Sequence, residues 1–102
     1  MEKTVCQKTG IKEKVLDALV QYAQECQIQR VILFGSRARG DFKERSDIDL
    51  AVLGGNTDKF TLLADEEAPT LLNFDVVNLG AAVQPELRAA IEEEGILLYE
   101  KI

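Results

Sequence analysis

Asp47 and Asp49 stand two positions apart within residues 31–55, VILFGSRARGDFKERSDIDLAVLGG, at the head of an alternating apolar segment. Side chains two apart on a strand leave the same face, and a rise of about 3.3 Å per residue sets their Cα atoms roughly 6–7 Å apart. Two anions that close resist joint ionisation unless a cation lies between them. Hard divalent ions such as Mg²⁺ take carboxylate oxygens at about 2.0–2.1 Å, and two such ions about 3.5–4 Å apart clamp an in-line phosphoryl or nucleotidyl transfer. The pair therefore reads as a metal seat. Asp75, in the middle of the run NFDVVNL, supplies a third carboxylate if its strand lies beside the first. Taken singly, each of these acids also fits a solvated turn or a strand edge.

The turn that precedes them narrows the choice. Gly35 closes the apolar run VILF, and its missing Cβ lets a phosphate approach the backbone, while Ser36 offers a hydroxyl and opens a short helix. Strand, Gly-Ser, ten residues, Asp-x-Asp and strand all fall within one βαβ-sized segment, a combination far rarer than its parts. Arg37 and Arg39 follow at once, placed either to brace a triphosphate or to stand as solvated charges on a short helix. Other motifs drop out. GSRARGD has Asp41 where a P-loop needs lysine, Leu50, Ala51 and Val52 follow Asp49 where an EF-hand needs polar ligands and glycine, and no G-x-G-x-x-G is present.

These residues need a scaffold, and 102 residues allow one domain with a core of its own. Apolar residues make up 46% and charged residues 29% of the chain, the balance of a globular protein. The formal charge of −6 argues against direct binding of nucleic acid or an anionic membrane. Residues 37–45 are the local exception, with Arg37, Arg39, Lys43 and Arg45 against Asp41 and Glu44. Cys6 and Cys26, without any histidine, form no zinc-type ligand set and read as reduced thiols, Cys26 on a buried helix face. No apolar run exceeds four residues, so neither a membrane span nor a signal-peptide core is expected, and the expected location is the cytoplasm.

Apolar residues recur with helical spacing over 11–27, alternate over 46–53, and form short runs at 30–34, 73–79 and 96–99. Residues 58–67 read as a helix ended by Pro69, and Pro85 opens another that Gly95 is expected to stop in a left-handed conformation. Residues 1–10 are expected to form a flexible N-terminal segment. The order is α-β-α-β-α-β-α-β, which predicts an α/β (α+β) domain with a mixed sheet of about four strands and helices packed on it.

The motif LFGSRARGDFKERSDIDLAVL, with FDVVNL and LRAAIEEEGILLYE further on, resembles the minimal nucleotidyltransferases of the DNA polymerase β superfamily. In particular it is similar to the MNT-domain antitoxins that are paired with HEPN-domain RNase toxins. The resemblance implies a nucleotidyltransferase fold in which Gly35 and Ser36 bind the outer phosphates of an NTP, with ATP as substrate. It implies that Asp47 and Asp49 hold two Mg²⁺ and that Asp75 shares the catalytic metal and helps to activate the acceptor hydroxyl. The reaction implied is transfer of AMP to a tyrosine hydroxyl of the partner toxin. Two other readings compete: a non-catalytic module that neutralises a toxin by covering its active site, and, more weakly, an Asp-x-Asp glycosyltransferase. A homo-oligomer is compatible with each.

Overall fold

The computed structural model describes residues 5–102. It begins with helix α1 (Val5–Thr9), so half of the segment expected to be flexible is helical, and residues 1–4 lie outside the described residues. Helix α2 (Glu13–Glu25) follows, with Val15, Leu19 and Ala23 along one stripe, each four residues from the next and all buried. The elements β1 (Arg30–Phe34), α3 (Ser36–Arg39), β2 (Ile48–Leu53) and α4 (Thr57–Glu67) come next. The Asn56 side chain caps α4 by accepting a hydrogen bond from the Lys59 backbone N–H at 3.1 Å. The chain closes with β3 (Phe74–Asn78), α5 (Pro85–Glu94) and β4 (Ile96–Glu100).

The four strands form one mixed sheet in the order β3-β2-β1-β4. β1 is antiparallel to both β2 and β4, whereas β2 and β3 run parallel through the α4 crossover. Strand alternation then divides the core. Val31, Leu33, Ile48, Leu50 and Val52 face α2 and α4, where Phe60 and Ala64 meet them. Phe34 and Ala51 face the other way, against Ile91 and Leu87 of α5. The central strands are thus sealed on one side, where Phe74 and Val76 of β3 and Leu98 of β4 are only partly buried, and the other side is covered in part. Among the described residues no helix is long and apolar enough to cross a membrane.

Gly95 departs from expectation, since its φ of −68° and ψ of 147° are extended and not left-handed. The glycine is needed for space. A Cβ there would collide with the Ile91 carbonyl oxygen and approach Ile32 Cγ2 to 2.5 Å, because the end of α5 runs directly onto β1.

Candidate active site

β2 starts at Ile48, so Asp47 is the residue just before the strand and Asp49 lies within it. Ile48, Leu50 and Val52 are wholly buried on the α2 side, which turns Asp49 to the face that α5 only partly covers. β3 lies beside β2 with Asp75 the register partner of Asp49. Paired residues on adjacent strands about 4.8 Å apart present their side chains on one face, so Asp75 shares the face of Asp49. α5 covers the far ends of these strands, at Ala51, Val77 and Leu79, and leaves the near ends open. Asp47 and Asp75 are exposed there and Asp49 is half-buried, which makes the site an open ledge.

Gly35 links this ledge to the turn. Its φ of 77° and ψ of −157° suit glycine alone, and a Cβ on it would run into the Asp49 carboxylate. The turn backbone therefore lies flat against the carboxylate, a contact the sequence does not announce. Ser36 is partly exposed, and among the described residues its hydroxyl has no hydrogen-bond partner. It is free to meet a ligand.

Burial pushes the Asp49 carboxyl above the usual carboxylate range, the charges of Asp75 and then Asp47 push it further, and Arg39 opposes them. The three acids are thus one electrostatic unit, and an added cation would relieve the repulsion among them. Their donors are hard oxygens, which suits Mg²⁺. Among the described residues, however, no three acidic or thiol side chains are drawn together tightly enough to cage an ion as they stand. The carboxylates are neighbours whose chemistry and charge fit a divalent ion.

The two arginines of α3 part company. Arg37, expected among the nucleotide-binding residues, is 1% exposed. Its Nε donates to the Ser46 carbonyl at 3.0 Å, Nη1 to the Thr9 carbonyl at 2.9 Å and Nη2 to the Glu44 carbonyl at 3.1 Å. Its guanidinium carbon also stands 4.8 Å from the centroid of the Phe42 ring. Burial lowers its pKa. Arg37 is consequently a positioning residue that ties the end of α1 and the loop before Asp47 to α3, and it does not face the ledge. Arg39 remains at the surface, paired at 3.2 Å with both Asp41 and Glu94, and its charge acts on Asp49.

Thr9 and Phe42 belong to this support and carried no signal in the sequence. Thr9 contributes a backbone carbonyl, which every residue type possesses. Its hydroxyl donates to the Val5 carbonyl at 2.6 Å and accepts from the Ile11 N–H at 3.3 Å, which fixes the turn out of α1.

Residues 13–102 match the family described as polymerase beta, nucleotidyltransferase. Over 82 residues, covering 71% of this chain and 79% of the relative, the sequence is 38% identical to an assigned protein adenylyltransferase of Methanocaldococcus jannaschii. The fold is similar to that of a toxin-antitoxin crystallised with AMP-PNP, with a TM-score of 0.67 and 22% identity over 84% of this chain and 73% of that one. It is also similar to a mutant of the toxin-antitoxin MntA-HpeT, with a TM-score of 0.66 and 20% identity over 84% of this chain and 73% of that one. At such identities the structural likeness establishes the fold.

Proposed function

The chain belongs to the polymerase beta nucleotidyltransferase family, and from that premise we propose that it transfers AMP from ATP to a tyrosine hydroxyl of a partner protein, silencing a toxin. The observation that carries this reading is the register of Asp49 against Asp75, with the Gly35 turn laid on the Asp49 carboxylate. That arrangement sets a glycine turn beside a pair of carboxylates, which this reading takes as the phosphate grip and the metal ligands.

In this reading the Gly35 backbone and the Ser36 hydroxyl receive the β- and γ-phosphates, which leaves the α-phosphorus over the carboxylates. Asp47, Asp49 and Asp75 would hold Mg²⁺, two ions when loaded, which would supply positive charge to offset that of the triphosphate and the leaving pyrophosphate. The acceptor oxygen forms its bond to the α-phosphorus as the bond to pyrophosphate breaks. The hydroxyl proton passes to Asp75, an exposed acid that is the register partner of Asp49. Nucleotidyl transfer asks mainly for positioning and charge, and these residues supply both.

The likeness to an assigned protein adenylyltransferase supports a protein acceptor, and so does the ledge, whose open side admits a tyrosine on a folded surface. Two toxin-antitoxin crystal structures share the fold and the central motif resembles MNT-type antitoxins, which together favour a HEPN-domain RNase as the toxin. The test is the intact mass of the protein product of the neighbouring gene, as the candidate toxin, after incubation with ATP and Mg²⁺. A gain of one or more AMP units, lost with Asp75→Asn, is expected. A toxin that is neutralised with no change in mass would replace the enzyme with a module that works by covering its target.

A further inference from the structure

A groove of about 770 Å³ opens at the end of the sheet that holds the carboxylates. Lys12 and Lys14 from the start of α2 and Arg45 from the loop before β2 line it, together with Pro69 and Leu71 from the loop before β3. It borders the ledge: Arg45 lies two positions before Asp47, and the backbone N–H of Ile48 bonds the Asn73 carbonyl at 2.9 Å, joining the two strand entrances.

The charge in this groove is anomalous for the molecule. The chain carries −6 overall, yet three cations line the groove against a single carboxylate, Glu44. Among the described residues none of the three has an ion-pair or hydrogen-bond partner for its side chain, whereas Arg39 has two. Leu71 adds an apolar side chain that is 103% exposed, on a loop braced by hydrogen bonds from the Thr70 N–H to the Ala68 carbonyl at 2.8 Å and from the Leu72 N–H to the Thr70 hydroxyl at 3.1 Å. Unpaired cations beside a fully exposed leucine on a braced loop complement an extended segment that carries both carboxylates and apolar side chains.

We propose that this groove docks an extended acidic segment of the acceptor protein and so delivers the neighbouring hydroxyl to Asp75. The proposal rests on the reading that the acceptor is a protein. Peptide is favoured over RNA because the rest of the surface is acidic and would repel a polyphosphate beyond the span of the groove. Attraction to the three cations steers the segment in, and the leucine supplies an apolar contact that charge alone lacks.

The test uses a fluorescein-labelled peptide of alternating glutamate and leucine that ends in tyrosine, titrated by anisotropy against the full chain. Its counterpart with lysine for glutamate and a single-stranded oligouridine are the comparisons. The acidic peptide is expected to bind, to weaken with added salt, and to lose about tenfold in affinity, equivalent to about 1.4 kcal/mol, in the Lys12→Glu, Lys14→Glu, Arg45→Glu variant. Leu71→Ser alone is expected to weaken it less. These side chains are solvent-facing, so circular dichroism and the shift in melting caused by ATP should match the parent protein. Equal binding by the charge-reversed variant, no binding by the parent, or tighter binding of oligouridine would each overturn the docking site. AMP on the peptide tyrosine is scored separately by mass. A peptide that docks but stays unmodified keeps the groove and removes the transfer reading, while an intact ATP shift without docking does the reverse.

Discussion

One strand shows two regions under different rules. On the α2 side of β2, Ile48, Leu50 and Val52 are sealed by the core, while on the opposite side Ala51 is sealed by α5 and Asp49, two residues earlier, is left half-buried among like charges. The first face gains free energy from every side chain it hides, roughly 1.5–3 kcal/mol for each large aliphatic group. The second holds charge where burial and repulsion raise its cost. The apolar face makes the ledge tolerable.

Removing the charge should have the largest effect. Asp49→Asn with Asp75→Asn should lower AMP transfer by about 10²–10³-fold or more, the scale on which single electrostatic contributions to a transition state are lost. Circular dichroism should be unchanged, and an unfolded double variant would make these acids structural. The apolar face should answer in stability. Leu50→Ala, at a wholly buried position, should cost about 2–5 kcal/mol in urea unfolding, with nucleotide affinity of the folded fraction little altered.

Arg37 lies between these extremes, since it is polar yet buried. Arg37→Met should cost roughly 2–3 kcal/mol by leaving three carbonyls without a donor, and Arg37→Lys should rescue little because one ammonium cannot span them as the planar fork does. Equal stability of Arg37→Met and the parent would show the tie to be dispensable.

The smallest effect comes from the protonation of Asp49. The Asp49 carboxyl is raised in the folded chain, so the folded state holds its proton more tightly than the unfolded chain does. Stability is therefore lost as pH rises from the ordinary carboxylate range through the folded value, and the loss is complete above it. Asp49→Asn should raise the melting temperature at neutral pH, and that gain should vanish in acid below the ordinary carboxylate range. A gain that persists unchanged in acid would trace to packing.

Much of this was legible in the chain because it is local. Alternation in β2 and the spacing of Asp47 and Asp49 are written in neighbouring letters, as is the glycine turn before them. That Asp75 joins them depended on strand order, which comes from how α4 carries the chain back parallel to β2. Arg37 and Arg39 could not be told apart by type or spacing, because what separates them is the Thr9 carbonyl, supplied from another element. The cationic groove was hidden for the same reason, since Lys12 and Arg45 meet only after folding. The left-handed stop assigned to Gly95 failed because glycine serves close packing as well as unusual backbone, and only the neighbours decide which.

The strand order also sets a timetable. β1 sits between β2 and β4, and β4 follows every other strand in the chain. During synthesis β1 can pair with β2 soon after both emerge, but its second edge stays bare until α4, β3 and α5 have all been made. A bare apolar edge invites pairing with other nascent chains. Segment Ile96–Glu100 therefore acts as a late lock, and until it pairs with β1 that edge stays open to aggregation.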